Sequence, residues 1–235
     1  MPAHTPVDIA YFSDVLCVWA YVAQIRVDEL KRHYNSNISL HYHFTPIFGC
    51  TEKRISNAWC DKGGYQGYSQ HVREVCSRFP HVTVHERIWQ DNIPASSVGC
   101  HHFIKAVQLL EDQGQIPAQP MAEYHGNTLF EETVWRLRQA FFRDMLNIAE
   151  LGCHLTIAGQ LGLPVARITE LLNNGSAMAA MCCDEQLGDG YKVEGSPTYV
   201  LNEGRQKLYG NVGYRIIEAN VHEILERPEN QATWC

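Results

Sequence analysis

Val7-Asp8-Ile9-Ala10-Tyr11-Phe12 is nearly all apolar, and Ser13-Asp14 ends the run. A stretch this short and apolar reads as a strand buried on both faces, hence central in a sheet. An amphipathic helical pattern follows, with Tyr21, Ile25, Glu29, Leu30 and Arg32, ending near His33; Asn35 and Asn37 break it. Ile38-Ser39-Leu40-His41-Tyr42-His43-Phe44 then alternates with period two and stops at Thr45-Pro46. Strand, helix and strand in that order predict a parallel pair joined by a helical crossover. Cys17 falls at the strand-to-helix junction. Unpaired backbone N–H groups and the positive end of the helix dipole favour an anion there. For a cysteine that anion is the reactive thiolate. A packed apolar thiol fits the same position. Three residues on, Ala20 stands where a dithiol site would carry its second cysteine.

The other informative stretch is Gly195-Ser196-Pro197-Thr198-Tyr199-Val200-Leu201. Proline is excluded from the interior of a central strand, so Pro197 starts one, with a cis peptide as one option. Such a loop offers the backbone groups around Ser196 and Thr198 to an extended, peptide-like ligand. Thr198–Leu201 and Lys207–Tyr209 read as an antiparallel hairpin turned by Asn202-Glu203-Gly204-Arg205. Asn211 or Gly213 opens a last helix with Ile217, Val221, Ile224 and Leu225 on its core face, ended by Arg227-Pro228.

The middle of the chain reads as helical. Tyr68 to Phe79 is stopped by Pro80, and His81–His85 reads as a short strand or an extended connector. Ser96 or Ser97 caps a helix to about Gln113. The strongest pattern runs from Thr128 to about Leu151, with Val134, Leu137, Phe141, Met145 and Ile148 at helical spacing. Arg136, Arg138 and Arg143 lie off that stripe, on a solvated face or, for Arg138, within reach of an anionic ligand. Pro164 starts a further helix; Ser176 caps another, reaching Gln186 and containing Cys182-Cys183. The architecture is therefore α/β. Residues 1–50 and 191–235 form one β-α-β/β-β-α domain, and residues 51–190 form an inserted helical domain.

The net charge of −7 supplies no basic stripe and argues against nucleic acid. No signal peptide and no transmembrane stretch are visible. Nine cysteines at irregular spacings fit reduced thiols in the cytoplasm better than a disulfide scaffold. His41 with His43, and the adjacent His101 and His102, make poor chelates, so no metal is expected; the latter pair reads as surface or satisfied core histidines. Cys235 ends a loose tail as an exposed thiol.

Tyr11-Phe12-Ser13-Asp14 with Cys17-Val18-Trp19-Ala20, and Gly195-Ser196-Pro197-Thr198 with Leu208-Tyr209-Gly210-Asn211, resemble the DsbA-like branch of the thioredoxin superfamily. That branch includes DsbA-type oxidoreductases, 2-hydroxychromene-2-carboxylate isomerases and kappa-class glutathione transferases. The resemblance implies a thioredoxin fold with a large helical insertion. It equates Cys17 with the first active-site residue and Pro197 with the cis-proline. Ala20 departs from the dithiol pattern, so Cys17 has three uses. It forms a mixed disulfide with a small thiol such as glutathione, resolved by a second molecule. Or it polarises bound glutathione for transfer or isomerisation. Or the site only binds a thiol or a peptide strand. The glutathione co-substrate would pair with Ser196 and rest a carboxylate near Asn211 to Gly213. Cys17 is the catalytic candidate, and Ser13, Trp19, Ser196, Pro197, Thr198, Asn211 and Gly213 are the binding candidates. The partner is a small-molecule thiol or disulfide, with a homodimer left open and no membrane expected.

Overall fold

A computed structural model describes residues 5–226. The end of the last helix at Arg227-Pro228 and the tail with Cys235 lie outside the described residues. Among the described residues the sheet has four strands: β1 (Val7–Ser13), β2 (Ile38–Phe44), β3 (Thr198–Leu201) and β4 (Gln206–Tyr209). Their order is β2-β1-β3-β4. β1 runs parallel to β2, with Val7 opposite Ile38 and Ser13 opposite Phe44, and antiparallel to β3, with Phe12 opposite Thr198. Its central place follows from its composition. Val7, Ile9 and Tyr11 enter the main core on one face, while Ala10 and Phe12 pack with Val200 on the other. Asn202 and Glu203, both at positive φ, turn the chain from β3 into β4.

Helix α1 (Val18–Tyr34) makes the crossover from β1 to β2. Tyr21, Val22, Val27 and Leu30 join the main core, but Ile25, which the periodicity placed in the pattern, is 47% exposed. Helices α2 (Gly64–Cys76), α3 (Val98–Asp112), α4 (Leu129–Phe142), α5 (Leu151–Gln160), α6 (Val165–Asn173) and α7 (Ser176–Gly190) lie between β2 and β3 in the chain. Helix α8 (Tyr214–Glu226) closes the order.

Three boundaries differ from the sequence expectation. α2 spans Gly64–Cys76, where the sequence predicts a helix from Tyr68 to Phe79. Gly67 sits so close to the Lys62 carbonyl that a Cβ there would overlap it, so the first turn needs glycine. The long 128–151 pattern is two helices. α4 starts on a capping box between Thr128 and Glu131 and ends at Phe142. The chain then turns through Met145 at φ 59, and Leu146 N–H reaches back to the Ala140 carbonyl. Apolar spacing runs across this break because Ile148 is buried in the same core. α7 extends to Gly190, past the expected Gln186. The 81–85 stretch is a connector, held by His85 N–H on the Phe142 carbonyl.

α3 and α7 are fixed to the edge strand β2 by the buried Asp184. Its carboxylate takes the His43 ring at 2.8 Å, the Phe44 N–H at 2.9 Å and Lys105 Nζ at 3.0 Å.

Candidate functional site

Cys17 is the residue preceding α1, in extended conformation, and it is 5% exposed. The backbone of its loop is tied amide by amide. Asp14 N–H donates to Ser196 Oγ at 2.9 Å, and Val15 N–H to His101 Nε2 at 3.1 Å. Leu16 N–H donates to Asp14 Oδ1 at 2.8 Å and Cys17 N–H to the Asp14 carbonyl at 3.1 Å. Asp14 Oδ2 also accepts from Phe48 N–H and Ser97 Oγ, each at 2.8 Å. Asp14 is fully buried, and its carboxylate joins the Cys17 loop to the segment after β2 and to the start of α3.

The Cys17 thiol donates to the Ser196 carbonyl at 3.2 Å, across 179 positions of sequence. The Ser196–Pro197 peptide is cis. Gly210 N–H donates to the Pro197 carbonyl at 2.8 Å, so the turn before α8 is tied to the same loop. The Tyr209 ring lies over Gly195, where a Cβ would meet its hydroxyl at 2.6 Å. The folded sheet therefore brings Cys17, Ser196 and Pro197 together and leads the chain on to Asn211 and Gly213, which lie exposed just before α8.

The thiol's acidity departs from the sequence expectation. Burial pushes Cys17 above its ordinary value. The Ser196 side chain and the Ala20 and Trp19 N–H groups pull it down, and the Asp14 carboxylate adds to the rise. The helix terminus acts as expected, but desolvation is the larger effect.

Two expected binding residues have their hydroxyls committed elsewhere. Ser13 is buried and its Oγ accepts from Arg138 at 3.0 Å. Thr198 is buried and its Oγ1 donates to the Gly195 carbonyl at 2.8 Å. Arg138 is not on a solvated face. It is 1% exposed and also donates to Gln24 Oε1 at 2.8 Å. Its place at the end of α4, packed under β1, puts the off-stripe cation inside.

Trp19 is half-buried beside an aromatic wall of Trp59, Tyr68 and His71; its ring lies edge-on to His71 at 6.2 Å. Burial, and next the neighbouring Cys17, push the Tyr68 hydroxyl up. Asp14, Ser97, His101, Tyr68 and Arg26 were not among the residues read from sequence as the site. The available signal was Ser97 and His101 four apart on one helical face, a spacing that lets both meet a single group. Arg26 Nη1 donates to Asn211 Oδ1 at 2.6 Å. Among the described residues, no cluster of three or more His, Cys, Asp or Glu is placed to hold a metal, and no helix is long and apolar enough to cross a membrane.

A family model described as the DSBA-like thioredoxin domain matches residues 8–221. No curated protein matches the chain. Among solved structures, a protein from Nitrosomonas europaea, provisionally identified as a protein disulfide isomerase, superposes with a TM-score of 0.72 at 15% identity, covering 95% of this chain and 99% of that one. The cytosolic disulfide reductase DsbM from Pseudomonas aeruginosa, in a structure with GSH, gives 0.60 at 16% identity, covering 92% and 99%. A 2-hydroxychromene-2-carboxylate isomerase gives 0.61 at 12% identity, covering 96% and 100%. At these identities the likeness is one of fold.

Proposed function

We propose that this chain, which belongs to the DSBA-like thioredoxin domain family, is a thiol-dependent oxidoreductase that works through Cys17 with glutathione in the cytoplasm. The observation that carries this reading is a single thiol seated on the Ser196 carbonyl at the start of α1, with Ala20 one turn away in place of a resolving cysteine. The Cys17 thiolate attacks one sulfur of a glutathione-containing disulfide, forms the protein–glutathione disulfide and expels the other sulfur as a thiolate. A second glutathione thiolate then attacks the bound glutathione sulfur, releasing oxidised glutathione and restoring Cys17. The raised thiol lowers the thiolate fraction but leaves each thiolate more nucleophilic. Glutathione in this reading runs along the Ser196 loop. It directs a carboxylate to the start of α8, where Arg26 stands beside Asn211.

A second reading has a specific observation in its favour. Burial keeps Cys17 as a hydrogen-bond donor, which suits a thiol that polarises a bound glutathione thiolate for transfer or isomerisation. Intact-mass measurement with oxidised glutathione separates the two. The oxidoreductase reading expects one glutathionyl group, on Cys17, removed by reduced glutathione and absent in Cys17→Ser. Conjugation or isomerisation with no adduct on Cys17 supports the second reading, and binding without turnover leaves a thiol-binding module.

A further inference from the structure

The inserted helices meet the Cys17 loop through one buried unit. Ser97 and His101 stand one turn apart at the start of α3, and both are 0% exposed. Ser97 Oγ donates to the Asp14 carboxylate, and the Val15 N–H donates to His101 Nε2. A ring nitrogen that accepts carries no proton, so the ring proton sits on Nδ1. His101 Nδ1 is buried without a partner, and the carboxylate Oδ1 of Asp14 lies 3.6 Å from Nε2. A buried orphan donor is costly. The ring holds this arrangement while capping the amide of Val15, a residue that is itself 0% exposed. An apolar side chain at position 101 would fill the space but leave that amide without an acceptor.

We propose that His101 is a positioning residue for Cys17: by accepting the Val15 N–H, it keeps the 14–17 loop in register, so that the thiol stays seated on the Ser196 carbonyl. The inference rests on the reading of Cys17 as the reacting thiol. It makes the insertion part of the thiol's support rather than a lid laid over it. The link is short. Val15 lies two residues before Cys17, and the intervening Leu16 amide is held by Asp14, whose other oxygen is held by Ser97. Breaking the Val15 contact frees one end of a three-bond clamp. The thiol then gains solvent and returns toward ordinary acidity. The ionisable groups facing it are Asp14 on its own loop, Tyr11 on β1 and Tyr68 on α2.

The test is site-resolved alkylation of the full chain by iodoacetamide across pH, read by mass spectrometry. Cys76, buried on α2, serves as the reporter of general loosening. His101→Leu is expected to speed Cys17 alkylation at pH 7.5 about tenfold relative to Cys76, the effect of a fall of about one pKa unit. His101→Gln extends an acceptor to the Nε2 position and is expected to keep the wild-type profile. Should the leucine variant fail to fold, His101→Asn, too short to reach Val15, takes its place with the same expectation. An unmoved Cys17 profile in the acceptor-free variant overturns the inference. So does an equal acceleration of Cys76, or a glutamine variant that behaves like leucine. Glutathione adduct formation in the wild type judges the role of Cys17 separately, so either reading can fail alone.

Discussion

At the scale of the residue, the chemistry turns on a competition at one sulfur atom. The start of α1 offers N–H groups from Trp19 and Ala20, which stabilise a thiolate, while burial and the Asp14 carboxylate oppose it. The balance lies with the protonated form, because removing a charge from water costs more than the Ser196 side chain and these two N–H groups together return. Wild-type Cys17 is therefore expected to alkylate more slowly at pH 7.5 than the exposed Cys182, with a midpoint above that of an ordinary thiol. A Cys17 rate above that of Cys182 near neutral pH would show that the helix terminus prevails. Asp14 shows how a single side chain can be read too simply. After an apolar run it marks only the end of a strand. In the fold, its two oxygens receive Leu16, Phe48 and Ser97.

At the scale of the element, α1 carries both ends of the proposed site. Cys17 precedes its first turn, Ala20 lies within that turn, and Arg26 sits nearly two turns further on. Ala20→Cys places a second thiol one turn from the first and is expected to create dithiol reductase activity, read as insulin reduction. Rates equal to wild type would mean that the added sulfur, at a position that is 0% exposed, finds no path to Cys17. Arg26 holds Asn211 Oδ1 at the approach to α8. Asn211→Asp adds a negative charge where the glutathione carboxylate is proposed to rest, and Arg26→Gln removes the cation. Both are expected to weaken glutathione binding in calorimetric titration. The losses should shrink as salt is raised, since both groups are exposed to screening. Unchanged affinity in both would remove the carboxylate site from the start of α8.

At the scale of the whole molecule, the inserted helices are secured to the sheet by charge as well as by packing. Asp184 on α7 is held below its ordinary value of 3.8. Burial opposes ionisation, but the His43 hydrogen bond, the Lys105 charge and the Phe44 N–H outweigh it. Between the two values the unfolded chain binds more protons than the folded one. The contribution is therefore full above the ordinary value and is lost as pH falls through the folded value. Lys105→Met leaves the buried carboxylate short of its cation. It is expected to cost about 3 kcal/mol, at the low end for a broken buried pair because His43 and Phe44 remain. Urea unfolding should show a lower midpoint with an unchanged slope. An unaltered midpoint would mean that the two remaining partners suffice.

The sequence by itself determined the central strand, the crossover helix, the final hairpin and the junction that carries Cys17. These depend on local periodicity and on proline and glycine, which act within a few residues of where they stand. It also determined that Cys17 has no resolving thiol at position 20. Only the tertiary structure decided which groups hold the Ser13-Asp14-Val15 segment that leads to that thiol. His101, Ser97 and Arg138 stand more than 80 residues from the groups they bond there, and their spacing along the chain fits burial or exposure alike. The same distance hid the break between α4 and α5, where Ile148 returns to the core that the helix left. The acidity of Cys17 was beyond local reasoning for the same reason. A helix terminus is visible in sequence, but desolvation is a property of everything packed around it.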